Sequence, residues 1–330
     1  MSFDLPLVFM FLMGVAILAY VVLDGYDLGV GMLLPAGDAE EQDVMVAAIA
    51  PFWDANETWL VLGVGLILVA FPLAHGIIFG ALYLPTVAML IGLMLRGVAF
   101  EFRVKAQGWH RELWNWLFYF GSFLASLAQG FMLGRYVTGF QPGFGYLVYA
   151  LLVGGGLCGG YVLLGATWLV LRTEGALQRK ALGWARWGLW WVALGVALVS
   201  AATPLVSGIV WEKWFDFPRT SALMLLPIAS VAAGIWVWKS SGRLARGERI
   251  PEWAPFVGAL AIFVLAFIGL AYTMFPYIVM DRLTIWEAAA HPSALKAVLI
   301  GAAVVLPFIV AYTAFSYRIF RGKARAGMYE

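Results

Sequence analysis

The stretch Asp24-Gly25-Tyr26-Asp27-Leu28-Gly29-Val30-Gly31 places two carboxyl groups inside the apolar run Leu5–Leu34. A run of that length crosses a bilayer with some tilt. Because a carboxylate within a membrane span costs a few kcal/mol on insertion scales, it usually faces a protein interior, a partner or a water path. The stretch therefore predicts a membrane helix with a polar face, and its two acids are candidate functional residues.

The composition predicts that the whole chain is a single integral membrane domain. Of its 330 residues, 63% are hydrophobic and 12% are charged, and the mean hydropathy is +0.88. These values exclude an ordinary soluble domain. The formal net charge is only +2, so nucleic acid is not an expected partner. The single cysteine, Cys158, excludes an internal disulfide and a cysteine metal cage.

Apolar runs of about twenty residues or more predict roughly nine membrane helices. The first is expected to be a retained span, because no basic region precedes it. Pro72 and His75 interrupt an almost continuous apolar stretch and predict a tight hairpin between the second and third spans. The predicted spans are Leu5–Leu34, Trp53–Phe71, Ile77–Val98, Trp114–Tyr136, Phe144–Leu171, Ala185–Val206, Ser221–Trp238, Ala254–Ile278 and Leu295–Phe320.

Lysine and arginine in the short loops predict the orientation of the chain. An odd number of spans places the termini on opposite sides, and a cytoplasmic C-terminus puts about three times as many basic residues inside as outside. The N-terminus is then outside. The inner residues are Arg103, Lys105, Arg111, Arg172, Arg179, Lys180, Lys239, Arg243, Arg246, Arg249, Arg318, Arg321, Lys323 and Arg325, against Arg135, Lys213, Arg219, Arg282 and Lys296 outside.

This orientation brings the acids of the first three spans to a similar depth. The first span runs inward, so Asp24 and Asp27, three residues apart, share one helical face in its inner half. The second span begins on the inner side with Asp54 and Glu57, which are also three residues apart. The third span ends on the inner side with Arg96 and Glu101. The predicted inner cluster consists of Asp24, Asp27, Asp54, Glu57, Arg96 and Glu101.

Two interpretations of this cluster are open from the residues alone. In the first, it is a structural ion-pair network in which Arg96 neutralises one or two carboxylates, while Asn56 and Thr58 donate hydrogen bonds to the others. In the second, it is a proton-conducting or ion-binding site. Carboxylates outnumber the single deep arginine, and burial among like charges favours the protonated carboxyl, so at least one acid could hold an exchangeable proton near neutral pH.

The three histidines do not indicate a haem or metal site in this chain. His75 and His291 lie in predicted outer loops and His110 lies in a predicted inner loop. A haem-bearing membrane subunit more often carries its ligands within its helices. We therefore expect no metal and no cofactor bound by this chain itself.

At these motifs the chain resembles subunit II of the cytochrome bd-type quinol oxidases, also called the cytochrome d ubiquinol oxidase subunit II family. The resemblance covers essentially the whole length. Any one motif is weak evidence, but their order and spacing together are specific. The matching segments are Asp24–Gly31, Trp53–Leu60, Val98–Arg103, Leu164–Trp168, Phe275–Tyr277, Leu283–Ala289, Ala311–Thr313 and Arg321–Lys323.

The resemblance implies a fold, partners and cofactors. Such a subunit has two four-helix bundles, here about 1–140 and 141–330, with a peripheral helix in the second part. It pairs with a haem-bearing subunit I in a bacterial cytoplasmic (inner) membrane. Subunit I holds the haems, of types b and d or of type b alone, and oxidises quinol. Membrane lipid and quinone are further expected partners, and the resemblance leaves open whether a small single-span accessory subunit joins.

The resemblance also assigns roles to particular residues. The family's intramembrane acids correspond to Asp27 and Asp54, with Asp24 in the same motif, and its third-span arginine corresponds to Arg96. The acids are expected to form a cytoplasmic proton pathway. Arg96 is expected to tune their charge or to contact a haem propionate of subunit I. The family commonly has proline after this arginine, whereas Gly97 stands here, which puts the local helix bend in question and points to the branch often called cyanide-insensitive.

The sequence thus supports one leading function and one rival. The leading function is the non-haem subunit of a quinol:O₂ oxidoreductase, which supports the haem region and contributes a proton pathway through Asp24, Asp27, Asp54, Glu57 and Glu101. Whether an oxygen path also runs at the interface with subunit I is left open by the resemblance. The rival is a stand-alone ion-coupled secondary transporter, in which the same acids bind a coupling ion near the midplane.

Overall fold

Helices make up most of the structure. A computed structural model describes residues 4–206, 214 and 223–325. Two short antiparallel strands, β1 (Tyr277–Val279) and β2 (Leu283–Thr284), form a hairpin. The helices are α1 (Leu5–Leu33, continued by a 3-10 turn at Leu34–Ala36), α2 (Ala39–Ile49), α3 (Trp53–Ala70), α4 (Pro72–Ala81), α5 (Tyr83–Arg103), α6 (Trp109–Val137), α7 (Phe144–Arg172), α8 (Gly175–Val206), α9 (Leu225–Ala245), α10 (Ala254–Met274), α11 (Ile285–Ala288) and α12 (Pro292–Ile319).

Eight helices in the described ranges are long and apolar enough to cross a membrane: α1, α3, α5, α6, α7, α8, α10 and α12. The predicted class, an all-α polytopic membrane protein, is therefore confirmed. The seventh predicted span, Ser221–Trp238, overlaps α9, although residues 221 and 222 lie outside the described residues. α9 is not among the eight, and its last two turns carry Lys239 and Arg243. The ninth span and the sidedness of the chain stay predictions.

The connection between the second and third spans is not the predicted tight hairpin. α3 ends at Ala70, the ten-residue helix α4 starts at Pro72, and α5 begins at Tyr83 rather than at the predicted Ile77. Proline is tolerated in the first turn of a helix, because its missing N–H would have no helical partner there. Pro72 therefore starts a short helix, where the sequence analysis expects a turn. α5 itself is one helix past Gly97.

α2 is a helix that the sequence analysis does not predict. It begins with a capping box: the Asp38 carboxylate accepts from the backbone N–H of Glu41 at 3.0 Å, and the Glu41 carboxylate accepts from the backbone N–H of Asp38 at 2.9 Å. Arg103 at the end of α5 donates to Asp43 of α2 at 2.9 Å and fixes the helix in place. The Asp-x-x-Glu spacing is the signal that indicates this helix from sequence.

α1 and α7 approach each other so closely that their backbones touch at glycines. A Cβ added to Gly29 would overlap the carbonyl oxygen of Tyr161 and lie 2.9 Å from the backbone nitrogen of Gly165. A Cβ added to Gly25 would lie 2.7 Å from the Tyr161 ring. Small residues permit such approaches between membrane helices. The glycines of the Asp24–Gly31 motif are thus packing residues, and they fix where the two acids of that motif lie.

α1 contacts helices from both the first and the later part of the described chain. It packs against α3, α6 and α7, while α6 also contacts α5 and α7, and α7 contacts α8 and α10. α9 packs against α8 and α10. Only 6% of the apolar segment of α12 is buried. The division into two four-helix bundles, about 1–140 and 141–330, with one peripheral helix stays a prediction.

The segment after α12 folds back onto the end of α7. The Lys323 ammonium donates to the carbonyl oxygen of Thr173 at 2.8 Å and contacts the Glu252 carboxylate. The backbone N–H of Ala324 donates to the carbonyl oxygen of Arg172 at 2.7 Å. The last carbonyls of a helix lack partners within that helix, so these bonds complete the C-terminus of α7. We call residues 321–325 the C-terminal clasp.

Glu252→Gln is expected to loosen the C-terminal clasp. Partial burial raises the pKa of Glu252, but hydrogen bonds from Lys323 and Gln178 and the charge of Lys323 lower the pKa by more, so the net shift is downward. A carboxyl with a lowered folded-state pKa stabilises the fold above its unfolded pKa of about 4.3, and that contribution is lost as pH falls through the folded pKa. The clasp should hold at neutral pH and weaken on acidification.

Hydrogen exchange of the Ala324 amide measures this effect. Because a partly exposed ion pair contributes about 0.2–1 kcal/mol, we expect Glu252→Gln to accelerate the exchange by up to about fivefold at pH 7. Glu174→Gln, an exposed acid between α7 and α8, is the matched control and should leave exchange unchanged. Equal exchange in the wild type and in Glu252→Gln would contradict the role of this pair.

Candidate functional site

The buried charges lie at the end of the molecule where α1 and α5 end and α3 begins. Asp24 and Asp27 are fully buried, and Arg96 is 1% exposed. Glu57, from the first turns of α3, has a side chain that is 29% exposed. The structure thus brings four of the six predicted residues into one site, drawn from three consecutive spans.

Arg96 lies between two acids. Its Nη1 atom is 2.6 Å from Oδ1 of Asp24, and its Nη2 atom donates to Oε2 of Glu57 at 3.4 Å. The Asp24 contact has the distance of an ion pair but not the angles of a hydrogen bond, so the attraction is mainly Coulombic. Because arginine stays protonated in proteins, Arg96 keeps a positive charge beside these carboxylates. This triad is the structural ion pairing that the first interpretation describes.

Asp27 belongs to a second group of side chains, which is held together by Asn56. The Asn56 amide donates to Oδ2 of Asp27 and to the hydroxyl of Tyr26, both at 2.8 Å, and to the carbonyl oxygen of Leu23 at 3.3 Å. The Tyr317 hydroxyl, from the end of α12, donates to the Asn56 amide oxygen at 3.1 Å and contacts the Tyr26 hydroxyl. The site therefore joins the first span to the last one.

Aromatic rings enclose the tyrosine hydroxyls. Tyr26 stacks on Trp168 of α7 with centroids 4.2 Å apart, and Tyr317 stacks on Phe52 at 4.5 Å. The indole N–H of Trp168 donates to the carbonyl oxygen of Ala48 at 3.1 Å and ties this enclosure to α2. Such rings exclude bulk water and hold the hydroxyls in fixed positions. Electrostatic interactions within the site are correspondingly stronger than at an exposed surface.

Several buried polar atoms of the site have no hydrogen-bond partner among the described residues. Buried polar groups in native proteins are nearly always hydrogen-bonded to protein or to ordered water. The site thus has capacity to bind water or a polar group of a partner. The atoms are both carboxylate oxygens of Asp24, Oδ1 of Asp27, and Nε and Nη1 of Arg96.

Two predicted site residues lie outside this buried group. Asp54 is exposed at the start of α3, one helical turn before Glu57, and the two carboxylates interact electrostatically. Glu101 is exposed near the end of α5. Thr58 does not serve the acids as expected, because its hydroxyl donates to the carbonyl oxygen of Ala55 at 2.6 Å. The backbone carbonyl one turn earlier lies within reach of this exposed hydroxyl, whereas the acids do not.

Tyr26 and Tyr317 belong to the site but are not predicted from the sequence. Tyr26 stands inside the Asp24–Gly31 motif, and its position between two acids is a usable signal. No sequence signal points to Tyr317, which lies in the last helix, 261 positions beyond Asn56.

The described residues contain no group of three or more His, Cys, Asp or Glu side chains that could hold a metal ion. His291 accepts from the backbone N–H of Ser293 at the start of α12, and His110 stacks on the Trp109 ring. Neither ring, nor the half-buried His75, lies in the buried acid site. This site therefore does not offer the histidine that axial haem ligation commonly uses.

The fold and the site together define a class: a multi-pass helical membrane protein that buries paired acids and an arginine at one end of its first three spans. Within this class the chain belongs to the cytochrome bd terminal oxidase subunit II family, whose model matches residues 5–320. The resemblance inferred from the motifs is thereby confirmed.

Individual relatives agree with this assignment. The chain is 28% identical to cytochrome bd-I ubiquinol oxidase subunit 2 of Escherichia coli (strain K12), over 93% of this chain and 91% of the relative. It is 29% identical to cytochrome bd ubiquinol oxidase subunit 2 of Bacillus subtilis (strain 168), over 94% of each. A chain of the bd oxidase from Geobacillus thermodenitrificans shares the fold, with a TM-score of 0.76 at 16% identity, over 96% of this chain and 99% of that one.

Family membership decides between the two function classes. The chain is subunit II of a cytochrome bd quinol oxidase, and so part of an enzyme complex with a subunit I as partner. The eight apolar helices in the described part of the chain, together with its relatives, make it a multi-pass protein of the bacterial inner membrane. The stand-alone transporter, the rival interpretation, is not favoured.

Proposed function

We propose that this subunit conducts protons from the cytoplasm toward subunit I through the acids at the ends of α1, α3 and α5. The observation that carries the proposal is the environment of Asp27. One oxygen of this fully buried carboxyl accepts a hydrogen bond from Asn56, while the other has no partner among the described residues. Because buried polar atoms nearly always have a hydrogen-bond partner, ordered water is expected at this unpartnered oxygen, and through that water the carboxyl can exchange a proton.

The cytoplasmic side of the route follows from the Lys and Arg bias of the loops, which favours an outer N-terminus and a cytoplasmic C-terminus. Asp54 and Glu101 then lie exposed at the inner end and would receive protons first. Glu57 is next, because it shares a helical face with Asp54 and is only partly exposed. Asp24 and Asp27 are the inner members.

Proton transfer between these acids needs water, since an amide cannot relay protons as a carboxyl or hydroxyl does. The unpartnered oxygens of Asp24 and Asp27 are the groups that ordered water would bind. Asn56 then orients the Asp27 carboxyl. Its amide holds one oxygen of Asp27, so the other oxygen is left for the water. The Tyr26 and Tyr317 hydroxyls extend the polar path toward α12.

Arg96 balances charge in this proposal. Its side chain is 1% exposed and is engaged by Asp24 and Glu57 within the chain. That placement supports charge tuning over contact with a haem propionate of subunit I, which stays a prediction. The haems, of types b and d or of type b alone, and the quinol chemistry would belong to subunit I. An accessory subunit, lipid and quinone contacts, and an oxygen path also stay predictions.

Asp27→Asn is expected to leave the complex assembled with full haem content and to slow oxygen reduction with its coupled proton uptake. The slowing should be on the order of a hundredfold, the lower end for loss of a positioned proton-transfer group. Asparagine keeps the volume and can still accept the Asn56 hydrogen bond, so folding is preserved. The measurements are oxygen consumption with quinol and proton uptake in proteoliposomes.

Control variants separate an effect on proton transfer from an effect on side-chain packing. Asp27→Glu should recover part of the activity, because it restores a titratable group. Asp54→Asn tests the entry acid in the same assay. Glu112→Gln, an exposed acid at the start of α6, should have no effect. Full oxygen reduction and proton uptake in haem-replete Asp27→Asn and Asp54→Asn would refute the proton route.

A further inference from the structure

A cavity of about 470 Å³ opens between α8 and α9, away from the acid site. This volume lies within the range of roughly 300–1,000 Å³ that small-ligand pockets have. The cavity lies at the end of the molecule where α9 ends and α8 begins. Its lining residues are Arg186, Trp238, Lys239, Gly242, Arg243, Ala245 and Arg246.

The side chains that line the cavity are positively charged or uncharged. Four of the lining side chains are cationic, and none is acidic. Glu248 pairs with Arg243 at 2.6 Å and with Arg246 at 2.8 Å, so these two guanidinium groups are partly neutralised. Among the described residues, Arg186 and Lys239 have no acidic partner. An anionic ligand would therefore be attracted most strongly to these two.

The Arg186 guanidinium is already fixed in place. It lies over the Trp238 ring, 4.0 Å from the ring centroid, in a cation–π contact. Trp190 packs edge-on against the same ring, with centroids 5.8 Å apart. A planar guanidinium held in this way presents its N–H donors as a fork that matches the oxygens of a phosphate.

The helices that line the cavity also carry exposed indoles. Trp187 is 78% exposed, Trp190 63% and Trp236 53%. Tryptophan is enriched where a membrane helix passes the headgroup level, because its ring is apolar at one end and polar at the other. We therefore expect the cavity to lie at the depth of lipid phosphates, with the exposed apolar side chains of Val231 and Ile235 of α9 in contact with acyl chains.

We propose that this cavity binds the phosphate of an anionic phospholipid, with Arg186 and Lys239 as its main contacts. Basic pockets between membrane helices recognise anionic head groups. The lipid phosphodiester would accept hydrogen bonds from the Arg186 fork and the Lys239 ammonium, and its acyl chains would lie along α9. A free phosphate ion could make the contacts with Arg186 and Lys239 but has no acyl chains to lie along α9.

Native mass spectrometry of the purified complex, titrated with phosphatidylglycerol, tests this proposal. A cation near the membrane surface strengthens anionic lipid binding about fivefold, so Arg186→Gln/Lys239→Gln should weaken the tightest phosphatidylglycerol binding about twentyfold or more. Arg186→Lys keeps the charge but loses the planar fork, and should weaken it by less. Arg179→Gln, which removes an exposed cation from the same end of α8, should leave binding unchanged.

The same titration with other probes shows whether the bound phosphate group belongs to a lipid or to a free phosphate ion. Phosphatidylcholine should lose less affinity than phosphatidylglycerol in the double variant, because its choline cation offsets the charge of its phosphodiester. Millimolar inorganic phosphate should not displace phosphatidylglycerol. Unchanged phosphatidylglycerol binding in a double variant that retains full haem content and activity would overturn the proposal. Displacement of the lipid by inorganic phosphate would overturn it too, since it would identify a free-anion site.

Discussion

Gly29→Ala is expected to destabilise the subunit by about 3 kcal/mol, the upper end of the usual cost of overpacking. The added methyl group would overlap the carbonyl oxygen of Tyr161 and crowd the backbone of Gly165. Backbone atoms in two packed helices cannot swing away as a flexible side chain can, so α1 and α7 must separate. Thermal unfolding of the purified complex, and the amount of complex extracted from membranes, measure the loss.

Gly183→Ala is the matched control for this prediction. Gly183 is exposed on α8, and a Cβ added there meets no atom of the described residues within 4 Å. Alanine has a higher helix propensity than glycine, so both substitutions should stabilise a helix locally by about 1 kcal/mol. A Gly29→Ala variant as stable as Gly183→Ala would show that the two helices do not cross at Gly29 as described.

Arg96→Gln is expected to cost about 3–5 kcal/mol, because it leaves the fully buried Asp24 carboxylate without its compensating charge. Glu57 loses the same partner, but its side chain is 29% exposed and can turn to water. The penalty therefore belongs mainly to Asp24. The measurements are the yield of assembled complex after mild extraction and its thermal stability.

A double-mutant cycle tests this cause directly. Asp24→Asn combined with Arg96→Gln removes both charges, so the double variant should recover most of the stability that Arg96→Gln loses. Arg179→Gln, an exposed arginine, should cost less than about 0.5 kcal/mol. If the double variant is no more stable than Arg96→Gln alone, the Asp24–Arg96 pair is not what Arg96 stabilises.

Gly29 and Arg96 connect the stability of the subunit with its proposed function. The glycines allow α1 to meet α7 closely, and that contact places Tyr26 against Trp168. Arg96 then makes the burial of Asp24 tolerable beside Asp27. Substitution of Gly29 or Arg96 would impair the proposed proton route because less complex assembles. Asp27→Asn would instead slow proton transfer within an assembled complex. The three variants therefore separate the positioning of the acids from their chemistry.

Much of the membrane architecture is predictable from the sequence. Runs of apolar residues locate the helices that cross the membrane, because the bilayer thickness demands about twenty of them. The spacing of Asp24 and Asp27 places them on one helical face, and the same reasoning places Glu57 and Arg96 at a similar depth. The motifs in their order then indicate the family, which the family model confirms over residues 5–320.

Other features escape sequence reasoning for identifiable reasons. α2 is short and has a charged first turn, so a search for membrane spans passes over its capping box. The turn predicted at Pro72 is a helix, because proline serves both as a turn residue and as a helix start. Asp54 and Glu57 lie one turn apart, yet one is exposed and the other is partly buried. Spacing does not show which of them points inward.

The sequence by itself determined the class of the protein and located the eight long apolar helices of the described residues, because burial in a bilayer constrains each helix separately. Only the tertiary structure decided the partners: Arg96 with Asp24, Asn56 with Asp27, and Tyr317 with Asn56. In a membrane, both the lipid-facing and the packed sides of a helix are apolar, so its rotation is not encoded in hydrophobic periodicity. The close contact of Gly29 with α7 fixes that rotation for α1, and with it the surroundings of both acids.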